Sequence, residues 1–244
     1  MNHKKLLLTA ALALFSVNAL AQSQGDWLLR LGLGHVAPDA DSGNLVFEGI
    51  ELDDYRIDVD ENTRPIINVT YMASDHLGVE LLAAWPFNHS VEGDGALAGL
   101  GKLGSTKHLP PTLSLQYHFR PDQTFRPYAG VGLNYTKFFD EKTTDSLHQG
   151  IIGTSNTALG TDYAGGNTDM TIDDSFGIAL QLGADVALND AWFVNFDLRW
   201  IDIEADAELR TTTVDGDGFE VDLDSRIKAD IDPWVFSTAI GLRF

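Results

Sequence analysis

The chain contains no cysteine, few basic residues and no long hydrophobic run. Without cysteine, neither a disulfide nor a thiolate metal site can form. Lysine and arginine number 16 against 36 aspartates and glutamates, so the net charge is −20 at pH 7. Nucleic-acid binding depends on basic patches, and this acidity therefore argues against a nucleic-acid partner. Beyond the N-terminal segment no stretch approaches about 18 consecutive apolar residues, so we expect no transmembrane helix.

The N-terminal segment has the pattern of an export signal. Two lysines precede the apolar run Leu6–Val17, and residues 19–21 read Ala-Leu-Ala, which fits a signal-peptidase site. The run is too short for a retained anchor, because a spanning helix needs about 20 residues. We therefore predict a cleaved secretory signal peptide over residues 1–21, exported by a bacterial Sec-type route, and one domain over residues 22–244.

Eight segments of the mature chain alternate apolar and polar residues with a period of two, which indicates β-strands with one apolar face. In the last segment, Trp234, Phe236 and Ile240 share one face, while small and polar residues occupy the other. Alternating segments of about 10 residues with aromatic ends are typical of a transmembrane β-barrel. The predicted strands are Trp27–His35, Arg64–Ala73, Leu77–Phe87, Leu109–Phe119, Arg126–Phe139, Ser175–Leu188, Trp192–Ile203 and Asp232–Phe244.

The connections between these strands alternate between short and long. The short ones are rich in Asp, Asn and Pro, as tight turns are, and cover residues 74–76, 121–124 and 189–190. The long ones are Val36–Asn62, Asn88–His108, Asp140–Asp174 and Glu204–Ile231. Bacterial outer-membrane barrels have an even strand number, short periplasmic turns and long extracellular loops. The sequence therefore predicts an all-β fold, an eight-stranded antiparallel transmembrane β-barrel in the outer membrane.

Much of the acid lies in two long connections. Val36–Asn62 holds nine acidic residues and one arginine, Arg56, and Glu204–Ile231 is similarly acidic. Runs of like charge usually form a solvated face. The alternative is that these carboxylates bind divalent cations beside anionic lipopolysaccharide, because hard cations prefer oxygen ligands. Neither segment, however, has the ligand spacing of an EF-hand. We predict no metal site and no cofactor.

Several ordered stretches resemble the OmpW family of small outer-membrane proteins: Tyr71–His89, Lys107–Phe119, Phe125–Phe139, residues 190–195 and Asp232–Phe244. The resemblance implies a channel for passive uptake of small hydrophobic molecules, with lateral release into the bilayer. Outer-membrane lipids, lipopolysaccharide and small hydrophobic ligands are then the expected partners. The resemblance also implies that Phe244 is recognised by the barrel assembly machinery. The first and last long connections fit the family poorly, because they are longer and more acidic.

The interior of an eight-stranded barrel is just wide enough to be filled by side chains, so an open aqueous pore is not expected. Inward charges should pair, because an unpaired buried charge is costly. We expect Leu82 to close the floor of a hydrophobic funnel. Arg199 stands where the family resemblance implies an aromatic side chain. The predicted lumen-lining residues are Arg30, Glu80, Leu82, Gln116, Asn134, Phe138, Gln181 and Arg199.

Three prolines, Pro86, Pro110 and Pro111, lie near the outer ends of two neighbouring predicted strands. Proline cannot donate to a strand ladder, so it normally sits at edges or bulges. We predict that these residues interrupt the pairing and form a lateral opening toward the membrane. The alternative is that they only begin or end strands above the hydrocarbon layer.

Catalysis is not predicted, and no catalytic residue is assigned. His89, Ser90 and His108 fall in no G-x-S-x-G or H-E-x-x-H motif. A non-transporting barrel whose acidic loops bind a partner or lipopolysaccharide is the main alternative to the channel. A lipid-modifying enzyme is a weaker one.

Overall fold

The computed structural model describes residues 22–244, so the predicted signal peptide lies outside the described residues. Within that range no helix is long and apolar enough to cross a membrane. The described strands and the α-helix are, in chain order, β1 (Trp27–Ala37), β2 (Asp41–Ser42), β3 (Leu45–Phe47), β4 (Ile50–Leu52), β5 (Tyr55–Val59), β6 (Asn62–Met72), β7 (Leu77–Ala84), β8 (Phe87–Gly95), β9 (Lys102–Leu109), β10 (Thr112–His118), β11 (Phe125–Thr143), α1 (Asp145–Leu159), β12 (Ala164–Ile172), β13 (Ser175–Ala187), β14 (Trp192–Ile201), β15 (Glu204–Val214), β16 (Glu220–Asp230) and β17 (Trp234–Arg243).

Eight of these strands close into an antiparallel barrel in the order β1-β6-β7-β10-β11-β13-β14-β17, with β17 pairing back to β1. The predicted strands and their number are therefore confirmed. β11 runs further than predicted, to Thr143, whereas β7 and β10 are shorter because each ends or begins beside proline. All three short connections are tight turns. In one, Asn189 Oδ1 accepts the backbone N–H of Trp192 at 2.9 Å, which fixes the turn locally.

The outward face of the barrel is apolar and exposed, as a surface in contact with lipid must be. Leu31, Leu81 and Leu113, for example, are each at least 50 % exposed. Aromatic residues gather at both rims of this face, which is the girdle pattern of outer-membrane barrels. They are Trp27, Tyr71, Tyr117, Phe119, Phe125 and Trp192 at the end with the short turns, and Trp85, Tyr135, Phe176 and Trp234 at the opposite end.

The four long extracellular connections are folded, which the expectation of long loops did not include. β5, β8 and β9 extend the barrel sheet along the upper part of β11. A second sheet has the order β12-β15-β16-β3-β4, with β2 also paired to β16. Between them lies α1, whose N-terminus is capped by the Thr144 hydroxyl, which accepts the Leu147 N–H at 3.3 Å. We call this ordered region the extracellular extension.

The alternation of apolar and charged residues also explains which face of the extension's sheet is buried. On β15, Ala207 and Leu209 are buried, whereas Glu208 and Arg210 are exposed. The acidic residues therefore occupy the solvated face, while the apolar residues between them form a continuous core. That core joins the apolar interior of the upper barrel in one buried cluster.

Candidate functional site

A network of buried charges fills the lower half of the lumen, and Arg30 lies at its centre. Arg30 donates to both carboxylate oxygens of Asp185, at 3.1 and 2.8 Å, and to Glu80 Oε2 at 3.1 Å. It also donates to the Thr70 hydroxyl at 2.6 Å. The side chains of Arg30, Glu80 and Asp185 are all 0 % exposed. Because they come from β1, β7 and β13, these contacts tie opposite walls of the barrel together.

The second arginine joins the same network. Arg199 Nη2 donates to Glu80 Oε1 at 2.8 Å and lies 3.4 Å from Asp197 Oδ1. Gln181 bridges the two carboxylates, because its Nε2 lies 3.3 Å from Glu80 and 3.1 Å from Asp197. Tyr128 donates its hydroxyl to Asp197 at 2.9 Å. Arg199, which replaces the implied aromatic, thus belongs to a paired ionic cluster.

The other polar residues expected in the lumen also lie inside the barrel. Asn134 donates to the Thr112 hydroxyl at 3.0 Å, and Gln116 Oε1 lies 3.2 Å from His118 Nε2. Both Asn134 and Gln116 are fully buried. Together with the ionic cluster they leave the lumen beneath the extension filled by side chains, as the width of an eight-stranded barrel requires.

An apolar layer lies above the ionic cluster. Leu82 follows Glu80 by two positions on β7, so both side chains point inward, and Leu82 is 5 % exposed. It belongs to the buried apolar cluster that also contains Val36, Ile66, Ala179, Ile201 and Val235, which come from five other barrel strands. Leu82 does not line the cavity described next, so it does not itself form the cavity floor and lies beneath the lining residues.

The extracellular extension encloses an apolar cavity of about 90 Å³. Phe138, expected in the lumen, lines this cavity above the layer of Leu82. Nearly all the other lining side chains are apolar, and they come from β1 and from most elements of the extension. Among them are Phe47, Leu147, Ile151, Ala207, Leu209, Ile227 and Ala229. Sequence reasoning missed these residues. The signal was the period-two alternation of residues 205–210, which the high acid content concealed.

Two histidines contribute polar groups to the cavity wall, as Thr106 and Thr154 also do. His89 and His108 line it and are 2 % and 6 % exposed, with ring centroids 5.0 Å apart. His108 also packs against Phe87 and meets Phe138 edge to face. Burial lowers the pKa of His108 to about 3 and also lowers the pKa of His89. Both rings are therefore neutral at neutral pH.

The proline residues lie at an interruption of strand pairing. The β7–β10 ladder stops at Leu82 opposite Thr112, and the β8–β9 ladder starts at Phe87 opposite His108. Residues 83–86 and 109–111 lie between these pairs. Backbone groups there bond away from the interruption: Trp85 N–H donates to the Pro65 carbonyl at 3.0 Å, and the Pro110 carbonyl accepts from Asn134 at 3.3 Å.

The extracellular acids are dispersed and partly paired. Asp140 accepts from Lys107 at 2.6 Å and lies 3.3 Å from Lys142, which lowers the pKa of Asp140. Glu204 pairs with Lys228 across β15 and β16. Over residues 22–244, no three histidine or acidic side chains converge as a metal ion would require.

A closed eight-stranded barrel with a lipid-facing apolar band, aromatic girdles and a polar interior defines the class of bacterial outer-membrane β-barrels. The chain is an outer-membrane protein of this class, with its short turns in the periplasm and its extension outside the cell. Within the class it belongs to the OmpW family, whose family model matches residues 23–244.

Relatives and solved structures agree with this assignment. Outer membrane protein W of Vibrio cholerae is 37 % identical over 234 residues, which cover 95 % of this chain and 94 % of the relative. The crystal structure of the outer membrane protein OprG from Pseudomonas aeruginosa superposes with a TM-score of 0.75 at 33 % identity, covering 94 % of this chain and 99 % of that one. A further relative, the dibenzothiophene metabolism operon protein PahQ of Pseudomonas aeruginosa, is 25 % identical over 91 % of this chain and 90 % of its own length.

Proposed function

We propose that the protein is a non-enzymatic channel for passive uptake of small hydrophobic molecules across the outer membrane. Molecules enter the apolar cavity of the extracellular extension from outside. They leave sideways into the bilayer beside Pro86, Pro110 and Pro111, and do not pass straight through the barrel.

The observation that carries this proposal is the position of the cavity. It sits on a lumen closed by the Leu82 layer and by the ionic cluster around Glu80, so a molecule in the cavity has no clear path to the periplasm. His108 lines the cavity and lies two residues before Pro110, where strand pairing is interrupted.

One relative points to the same ligand class. The name of PahQ places it in an operon for metabolism of dibenzothiophene, an apolar aromatic sulfur compound. A cell that metabolises such a molecule must first admit it through the lipopolysaccharide leaflet. A family member in that operon supports uptake of hydrophobic molecules as the function of this chain.

The cavity is tested by filling it. Thr154 on α1 lines the cavity, whereas Leu159 on the same helix is 58 % exposed. Cells lacking the protein are complemented with wild type, Thr154→Trp or Leu159→Trp at equal surface expression, and uptake of a small apolar dye is followed. We expect Thr154→Trp to lose the uptake that wild type and Leu159→Trp restore. Equal uptake in all strains, including the uncomplemented one, would refute the channel.

The lateral exit is tested by closing the interruption. A ladder continued one step beyond Leu82 and Thr112 would place Ala83 opposite Pro111, and both residues are exposed. The chain has no cysteine, so an Ala83→Cys and Pro111→Cys pair is the sole thiol pair. Joining the two thiols with oxidant or a short thiol cross-linker should slow uptake. Where the joint is a disulfide, adding reductant should restore uptake. Each single-cysteine variant is the control, and uptake unaffected by the joined pair would contradict lateral release.

The non-transporting alternative makes the opposite prediction. If the acidic extension binds lipopolysaccharide or a partner protein, uptake should not depend on Thr154, and neutralising exposed acids such as Glu208 and Asp224 should abolish binding. Recognition of Phe244 by the barrel assembly machinery stays a prediction. Phe244 is 67 % exposed, and its deletion should lower the amount of assembled barrel.

A further inference from the structure

The hydrogen bond of His89 fixes which ring nitrogen carries the proton. Nδ1 lies 2.5 Å from the backbone carbonyl oxygen of Asp60. A carbonyl oxygen only accepts, so Nδ1 must be the protonated nitrogen. The Asp60 carboxylate in turn accepts the N–H of Ser90 at 2.5 Å, and this contact holds β8 against the end of β5. The imidazole is therefore oriented by its bond to the Asp60 carbonyl, and the Asp60 carboxylate holds the two segments together.

The other ring nitrogen is then a free acceptor. In a neutral imidazole with a proton on Nδ1, Nε2 carries a lone pair. His89 Nε2 is buried and has no hydrogen-bond partner within residues 22–244. Desolvation keeps the ring neutral although Asp60 lies beside it, and Arg64 adds to that effect. Buried acceptors are normally satisfied, so an unpartnered Nε2 on a lining residue of the cavity leaves a place for a donor from a bound molecule.

We infer that the cavity takes apolar molecules carrying one hydrogen-bond donor, with the donor directed to His89 Nε2. Phenols, aliphatic alcohols and protonated carboxylic acids are the chemical class. The inference rests on the proposed function, because it assigns a substrate class to the same cavity. The apolar wall formed by Phe47, Ile151 and Leu209 holds the hydrocarbon body, and His89 reads its polar end.

Such a site discriminates more strongly by the donor than by shape. An apolar pocket rejects a molecule of similar size only weakly, whereas a buried acceptor left without its donor penalises the wrong ligand. We therefore compare the ratio of the affinity for a phenol to the affinity for its methyl analogue. We expect this ratio to be roughly tenfold higher in the wild-type site than in a site that lacks Nε2, because one hydrogen bond changes the affinity by about that factor.

The test compares two ligands of nearly equal size, p-cresol and p-xylene, on purified protein in lipid nanodiscs. Equilibrium dialysis against empty nanodiscs corrects for partitioning. His89→Asn retains an amide N–H for the Asp60 carbonyl but removes the acceptor at Nε2, while His89→Gln carries an amide oxygen toward that position. Met170→Leu changes a lining residue without altering hydrogen bonding. Unchanged heat-modifiability on gels shows that each variant is folded.

The expected result is a cresol-to-xylene affinity ratio that falls about tenfold in His89→Asn and is kept in Met170→Leu, with partial recovery in His89→Gln. An equal ratio in wild type and His89→Asn, with both ligands bound, overturns the donor-reading role while the apolar channel stands. Binding of neither ligand by wild type overturns the cavity itself and the proposed function with it.

Discussion

The buried ionic cluster makes a strong prediction about Arg30. Replacing Arg30 by Met keeps an unbranched chain of similar length but removes every contact of the guanidinium. Asp185 then loses its bidentate partner and keeps the amides of Gln22 and Asn195, at 3.2 and 2.8 Å. Glu80 retains only Arg199 as a cationic partner. The variant therefore removes the bidentate counter-charge of a carboxylate in a narrow interior.

The size of the effect follows from the charges that the structure brings together. The ion pairs join five side chains, Arg30 and Arg199 with Glu80, Asp185 and Asp197. Their formal charges sum to −1, and Arg30→Met changes the sum over this group to −2. Removing one member of a buried pair typically costs about 3–5 kcal/mol. We expect a loss of this size in the free energy of unfolding. Arg30→Met combined with Asp185→Leu should recover most of it, because an apolar replacement of both partners is often neutral.

The assay is urea unfolding of the protein in lipid vesicles, followed by the fluorescence of its five tryptophans. Arg30→Lys is the matched control. It keeps the charge but cannot form the bidentate contact with Asp185, so its loss should be intermediate. A cost below about 1 kcal/mol for Arg30→Met, the range of exposed ion pairs, would refute the reasoning. It would mean that water reaches Arg30 and that the lumen is a pore.

Two further predictions concern acid and packing. The pKa of His108 is lowered to about 3 in the folded protein and is 6.5 when unperturbed, so the unfolded chain binds the proton first. Stability contributed by the neutral ring is complete above pH 6.5 and falls toward pH 3, by about 3 kcal/mol near pH 4.5. Hydrogen exchange of the extension should accelerate over this range in wild type, and an equal acceleration in His108→Phe would count against the assignment. A Cβ on Gly241 would lie 2.1 Å from the Phe193 ring, so Gly241→Ala should cost about 1–3 kcal/mol in the same urea titration. Gly99→Ala, where a Cβ meets nothing within 4 Å, should cost little. Equal losses of stability in Gly241→Ala and Gly99→Ala would show that the Phe193 ring moves aside without cost.

The barrel was predictable because lipid and lumen impose opposite chemistry on successive residues. Leu113 and Leu115 had to face lipid, so Ser114 and Gln116 had to face inward, and both are buried. The closing pair of β1 with β17 was equally accessible, because an even number of strands with short and long connections allows one up-and-down order. The pairing of Arg30 with Asp185 was not, since partners 155 positions apart in the chain are set by barrel register.

The extracellular extension escaped prediction for a different reason. Its apolar positions alternate with acids, so Ala207 and Leu209 carry a strand signal inside a segment whose overall charge suggests solvated loop. Such a half-buried strand becomes stable only through the pairings of its sheet, β15 with β16 and β16 with β3, and the second of these joins distant parts of the chain. The cavity exists only once they have formed, which is why its lining could not be read from composition.

The charge distribution of the interior also accounts for the direction of the proposed transport. A hydrophobic molecule moving below Leu82 would have to separate or desolvate the pairs that Glu80 makes with Arg30 and Arg199, which lie 3.1 and 2.8 Å away. Moving sideways at Pro86 and Pro110 crosses no completed ladder, because no β7–β10 pair extends beyond Leu82. Moving the molecule downward therefore costs more free energy than moving it sideways, and the difference is that of breaking a buried ion pair, about 3–5 kcal/mol. An ionic floor under an apolar cavity thus favours exit into the membrane over passage into the periplasm.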